Sequence, residues 1–230
     1  ERLNSAKDKL LSVIGHDLRS PLASIMSTLE VIRMGVLTPE QQEQVFKGLH
    51  NKVITVSHML DNLLSWAVNQ QGGIPVKPEQ LSVEETVEEV LGIFQTMAFS
   101  KKINLYSRIE QPLCIWADRN AFFTILRNLI NNALKFTPFG GEVYIAAHEV
   151  ENQVSIWVTD TGIGMSQEKT DTLFQQKENE RTWGTSGEKG VGLGLQLVHE
   201  FIRSSNGSIE VSSTEGEGTT FVILLPAYKE

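Results

Sequence analysis

Leu11, Ile14, Leu18, Leu22, Ile25, Leu29 and Ile32 recur at spacings of three and four, so they line one side of a helix running from residue 1 to about 34. Gly35, followed by Val36 and Leu37, breaks that pattern. Thr38, Pro39 and Gln41 then supply an N-cap, a first-turn proline and the reaching-back side chain of a capping box. A second stripe follows at Val45, Leu49, Val53, Val56, Leu60 and Leu63. Two matched stripes across a short turn predict a helical hairpin. Such a hairpin alone buries too little apolar surface to be stable, and more apolar residues flank the stripes at Val13, Met26, Val31, Met59 and Leu64. A homodimer closing a four-helix bundle is expected.

His16 lies opposite the first stripe, beside Asp17 in the run GHDLRSPL, with Pro21 five residues on. The proline has no N–H for the Asp17 carbonyl and its ring crowds the preceding turn, a cost of about 3 kcal/mol in a helix interior. The ordinary reading of such a histidine is a solvated polar residue. The alternative is an imidazole put on display beside a weakened turn.

From Gln71 to Gln80 the run QGGIPVKPEQ loses helical period and reads as a linker or an extended edge segment. Ser82 with Glu85 makes another capping box and opens a helix to about Ser100. Strand patterns follow at Ile103 to Ile109, Glu142 to Val150, Val154 to Thr159, Ser208 to Ser212 and Thr220 to Leu225. Helices are predicted at about Asn120 to Phe136 and Leu193 to Ser205. The expected class is therefore α+β. A helical hairpin (1–70) and a linker (71–80) precede a mixed domain (81–230) whose sheet is covered on one face by helices. The polar, glycine-spotted stretch from Met165 to Lys189 reads as a mobile loop.

The formal net charge of −8, without a basic patch, argues against nucleic acid as a partner. Apolar runs such as Phe221 to Leu225 fall far short of the roughly 20 residues that span a bilayer, so no membrane contact is expected from this chain. Cys114 has no second cysteine to pair with, and in LCIW it reads as a small buried residue. A reducing, cytoplasmic location is expected, whether or not the full-length protein is membrane-anchored. The chain opens at Glu1 inside a helical pattern, which suggests a piece of a longer protein.

On the helix bearing RNLINNALKF, Asn128, Asn132 and Lys135 share an arc of roughly 60°, while Phe122, Leu126, Leu129, Ile130 and Ala133 take the other side. A polar face is ordinary, but asparagine is a poor helix former. Its amide oxygen suits a hard cation and the lysine suits a phosphate. The run DTGIG ends a strand with Asp160, an acceptor for an exocyclic amine, followed by Gly162 and Gly164. Alone it is also a plain strand-ending turn. GVGLGL, with Gly190, Gly192 and Gly194, leads directly into an apolar helix and offers backbone N–H groups to a phosphate. EGEGTTF, holding Thr220, reads either as a hairpin turn or as a place where Gly216 and Gly218 let backbone approach a ligand.

The order of these elements resembles the catalytic core of the sensor histidine kinases of two-component signalling, over nearly the whole chain. GHDLRSPL is similar to the family's H-box, RNLINNALKFT to its N-box, and DTGIG, GVGLGL and GEGTTF to its three glycine boxes. The resemblance implies a dimeric hairpin followed by an α/β sandwich that binds ATP and Mg²⁺. It also implies that His16 accepts the γ-phosphoryl group with Asp17 as base, and that a receiver domain of a response regulator takes the phosphoryl group next. Asn132 with Asn128 would bind the metal, Lys135 would contact phosphate, and Asp160 would recognise adenine. Gly162, Gly164, Gly190, Gly192 and Gly194 would shape the pocket, and Thr220 would reach the adenine edge. Ser20 stands where the family often has a Thr or Asn that orients water for dephosphorylating the regulator. It keeps a hydroxyl on the face of His16.

Hydrolytic members of the wider superfamily place a glutamate where Asn128 stands, and an amide cannot take a proton from water. A hydrolytic ATPase is thereby disfavoured. A dimeric scaffold that binds nucleotide without transferring phosphate is the other competing class, and the intact Asn132, Asp160 and glycine loop argue against it.

Overall fold

A computed structural model describes residues 18–70, 77–109, 111–174, 185 and 194–229 of the chain. These residues fall into two compact units that divide between Ile74 and Pro75.

The first unit holds helix α1 (Arg19–Arg33) and helix α2 (Pro39–Gln70). Leu18 lies in a wider, π-type turn just ahead of Pro21, the kind of opening that a missing backbone donor produces. Gly35 ends α1 at φ +67°, a conformation that favours glycine. The capping box that opens α2 is made in both directions. Gln41 N–H donates to the Thr38 hydroxyl at 3.3 Å, and Thr38 N–H donates to Gln41 Oε1 at 3.0 Å. The helices are tied by Lys52, whose ammonium donates to Ser24 Oγ at 2.8 Å and Thr28 Oγ1 at 3.3 Å. Leu18 and Val56 are buried, but Leu22, Leu29, Val53 and Leu60 of the two main stripes stay exposed. One hairpin does not cover its own stripes.

The second unit contains β1 (Glu79–Ser82), α3 (Val83–Ser100), β2 (Asn104–Arg108), β3 (Cys114–Ala117), α4 (Arg119–Phe136), β4 (Glu142–Val150) and β5 (Gln153–Asp160). It continues with α5 (Gln167–Thr172), α6 (Gly194–Ser204), β6 (Ser208–Thr214) and β7 (Gly218–Pro226). Five strands make one sheet in the order β2-β4-β5-β7-β6, with β2 parallel to β4 and the other pairs antiparallel. Helices α3, α4 and α6 pack together against the inner face of the sheet. There Val143, Ile145, Ile156, Val158, Ile223 and Leu225 meet Phe122, Leu126, Leu129 and Leu197 in the core, while Trp157 turns outward.

Of the two readings of the run that ends at Gln80, the extended edge segment holds for Glu79 and Gln80, because β1 pairs antiparallel with β3. Two local expectations are corrected. Cys114, expected to be buried, lies in that edge pair and is only half-buried, with Gln80 Nε2 at 3.6 Å from its sulfur. The start of the polar stretch after Met165 is helical, since the Ser166 hydroxyl accepts from Lys169 N–H and opens α5. Among the described residues, no helix is long and apolar enough to cross a membrane.

Candidate active site

Asp160 is the last residue of β5 and is only 7% exposed. Its Oδ1 accepts the Gly162 N–H at 2.8 Å and the Thr219 N–H at 3.2 Å. Burial pushes its carboxyl up to about 6, against the pull of those two donors. Among the described residues both donors fall on Oδ1, so Oδ2 is the oxygen with capacity for an outside N–H.

The loop after Asp160 is stitched to its neighbours through backbone. Ile163 N–H donates to the Phe136 carbonyl at the end of α4 (3.1 Å), and Gly216 N–H in the β6–β7 turn donates to the Ile163 carbonyl (2.8 Å). A Cβ on Gly162 would stand 2.6 Å from Asp160 Oδ1 and 2.7 Å from the Phe136 carbonyl oxygen, so only glycine fits between strand end and helix end. Gly164 has φ +64° and passes against the Thr214 carbonyl. Gly218, in the run read either as a hairpin turn or as a place of ligand approach, closes the β6–β7 hairpin and makes room at φ +119° for the Asp160 carbonyl.

Helix α4 forms the opposite wall. Asp118 caps it, its carboxylate accepting from Ala121 N–H at 3.0 Å. Asn128 is buried and donates from Nδ2 to the Thr124 carbonyl at 2.8 Å. Its Oδ1 lies toward the start of α6, where a Cβ on Gly194 would come within 2.6 Å of it. One turn on, Asn132 is half-buried. Lys135 is buried, with Nζ 4.6 Å from the Phe136 ring centroid. Beyond α5, Phe174 stacks on His199 of α6 with ring centroids 5.6 Å apart, which fixes the start of the polar stretch on that helix.

Asn128, Asn132, Lys135, Asp160, Gly162, Gly164 and Gly194 thus belong to one module, and the packing of Gly162 on Phe136 and of Gly194 on Asn128 joins three of the boxes. Thr220 does not join them. Neighbouring residues of a strand point to opposite faces, and Thr220 bonds Thr159 Oγ1 at 3.1 Å on the sheet's outer side. Thr219, directly across from Asp160, is the buried threonine of the site, with its hydroxyl 2.9 Å from Ser213 Oγ. Ser213 in turn accepts from Met165 N–H at 2.9 Å. Thr219 and Ser213 carry no signal in the sequence alone. The register of β5 against β7 was the missing signal, because TT is degenerate until it is known which threonine faces inward. His16, Asp17, Gly190 and Gly192 lie outside the described residues, as does the side chain of Ser20, which falls in the first turn of α1.

Comparison with known proteins fits this geometry. Residues 117–229 match the family model of histidine kinase-, DNA gyrase B- and HSP90-like ATPases, and residues 6–72 match the His Kinase A phospho-acceptor domain. The fold and site are those of an ATP-binding module joined to a phosphoacceptor hairpin. An uncharacterised sensor-like histidine kinase of Rhizobium meliloti is 31% identical over 99% of this chain and 44% of its own length. The Acinetobacter baumannii histidine kinase AdeS superposes with a TM-score of 0.68 at 26% identity, covering 93% of this chain and 98% of that one. The histidine kinase ThkA, solved in complex with the response regulator TrrA, shares the fold at a TM-score of 0.70 and 17% identity, over 99% of this chain and 64% of that one. The chain belongs to the sensor histidine kinases. It spans 27% to 60% of the length of the curated relatives it matches.

Proposed function

We propose that this chain transfers the γ-phosphoryl group of ATP to His16 and then to an aspartate of a response-regulator receiver domain. The observation that carries the reading is the buried acceptor Asp160, held by Gly162 and Thr219 across from a helix that presents Asn128, Asn132 and Lys135. Asp160 Oδ2 accepts from the adenine amine, and Thr219 takes the base-edge role first expected of Thr220. Lys135 contacts phosphate, and the backbone at Gly162, Gly164, Gly190, Gly192 and Gly194 shapes the pocket.

The donor set also fits Mg²⁺. Asn128 and Asn132 offer two amide oxygens one turn apart, and no cluster of three His, Cys, Asp or Glu side chains competes among the described residues. Mg²⁺ keeps few protein ligands and completes its shell with phosphate oxygens and water, and when bound it neutralises charge on the leaving group.

In the transfer, an imidazole nitrogen of His16 attacks the γ-phosphorus and the bond to the β–γ bridging oxygen breaks, releasing ADP. Asp17 takes the imidazole proton. The receiver aspartate then attacks the same phosphorus and His16 is regenerated. Asn128 cannot act as a base for water, so bound ATP survives until the imidazole arrives. Ser20, in the first turn of α1, supplies by the family pattern a hydroxyl for orienting water when the regulator's phospho-aspartate is hydrolysed.

The uncovered stripes of α1 and α2 support a homodimer. We take residues 1–70 as the hairpin and place the end of the linker before Glu79, where β1 begins. The test is incubation with γ-labelled ATP and Mg²⁺, wild type beside His16→Gln. The expected result is acid-labile, alkali-stable label on the wild type and none on the variant. Label persisting on the variant overturns the assignment.

A further inference from the structure

Lys101, the residue that ends α3, is only 8% exposed and brings its cation to the C-terminal turn of α4. Its ammonium donates to the Leu134 carbonyl at 2.7 Å, to the Lys135 carbonyl at 3.3 Å and to the Thr185 hydroxyl at 2.8 Å. Thr185 adds two donors on the same spot. Its N–H reaches the Lys135 carbonyl at 3.0 Å, and its hydroxyl is 3.0 Å from both the Lys135 and Thr137 carbonyl oxygens.

The last carbonyls of a helix have no intrahelical donor and carry the negative end of its dipole. Here they meet a buried cation from one element and a threonine from a distant part of the chain. The convergence falls on the one residue of that turn whose side chain the reading above gives to phosphate. Lys135 has a long, flexible stem, so its reach depends on where its backbone is held.

We propose that Lys101 and Thr185 are positioning residues for Lys135: they hold its backbone carbonyl, and through it the ammonium that meets the nucleotide phosphates. The proposal rests on the nucleotide reading above. It predicts a defect concentrated in the phosphate half of the ligand: Asp160 and Thr219, which face the base, are held by Gly162, Ser213 and Met165, and they meet the Lys135 turn through the Phe136 carbonyl, which accepts from Ile163 N–H.

Thr185 is exposed and replaceable without opening the core. The experiment is calorimetric titration of the full chain with ATP and with adenosine, for wild type, Thr185→Val, Thr185→Ser, Lys135→Met and the double variant Thr185→Val/Lys135→Met. Thr185→Val is expected to weaken ATP about tenfold and leave adenosine unchanged, with Thr185→Ser restoring the ATP affinity. In the Lys135→Met background the valine is expected to add nothing, since its effect passes through the lysine. Three results overturn the proposal: an unchanged ATP affinity in Thr185→Val, an equal loss for adenosine, or a full additive loss in the double variant. A wild type that binds neither ligand overturns the nucleotide reading, and the positioning role with it.

Discussion

Along one side of α4, Ile125, Leu126, Leu129, Ile130 and Leu134 are fully buried, whereas along one side of α1 Leu22, Met26 and Leu29 remain 46% to 63% exposed. Both helices carry the same three-and-four apolar spacing. They differ in what lies across from them. Helix α4 has a five-stranded sheet beneath it and α3 and α6 at its flanks, so its main apolar stripe is covered inside one chain. Helix α1 has α2 alone, and Phe46, Val53 and Leu60 of α2 also stay exposed, at a seven-residue repeat. The hairpin leaves its own stripes uncovered within one chain, and it is the part that matches the phospho-acceptor family model.

Breaking the hairpin's seam gives the largest expected effect. Leu22→Asp with Leu29→Asp places two charges in the seam, and the dimer should dissociate by at least a thousandfold in light scattering. The melting of the ATP-binding module should stay where it was; if that module loses its own cooperative transition, the two units are not independent. The converse change, Leu129→Ala in α4, should cost the module about 2–5 kcal/mol in denaturant unfolding while the dimer constant is unmoved.

Asp160→Asn keeps the shape of the site but presents a weaker acceptor, and ATP affinity should fall by roughly ten- to a hundredfold in titration with the oligomer intact. A smaller effect follows from the carboxyl held near 6. An adenine amine requires the ionised acceptor, so ATP affinity should drop about tenfold between pH 7 and pH 5. Stability without ligand should move the other way. The folded carboxyl binds a proton more readily than its unfolded counterpart, so between about pH 4 and 6 the folded state holds the extra proton and stability falls as pH rises. A module whose stability and ATP affinity move together with pH would show that another group dominates. The smallest expected effect is that of Thr38→Ala, which removes one half of the capping box and should cost the hairpin about 1 kcal/mol, read as a shift in its melting and not in ATP binding.

Much of the fold was legible because periodicity and caps agreed locally. The Ser82 hydroxyl accepts from Glu85 N–H and α3 ends at Ser100, as its cap and pattern required. Strand β4 runs from Glu142 to Val150, the same bounds its alternation predicted. The short pair β1 and β3 was not legible, because four residues carry no reliable period and their stability comes from each other and from β7. In the candidate site, Asn128, Lys135 and Asp160 were legible as candidates from residue type and spacing. Thr219 was not, because identical neighbours in TT are separated only by strand register. Lys101 and Thr185 carried no local signal at all: one reads as an ordinary helix-ending lysine and the other as a loop threonine, until folding brings both onto the Lys135 carbonyl.

The sequence by itself determined the helices, most strands, the apolar stripes of the hairpin and the chemical types in the candidate site, since these follow from side-chain periodicity and donor or acceptor character. Tertiary structure decided which threonine faces Asp160, why Gly162 and Gly218 have to be glycines, and what holds the Lys135 carbonyl. Those are distances between residues far apart in the chain, and only the packed sheet and helices set them.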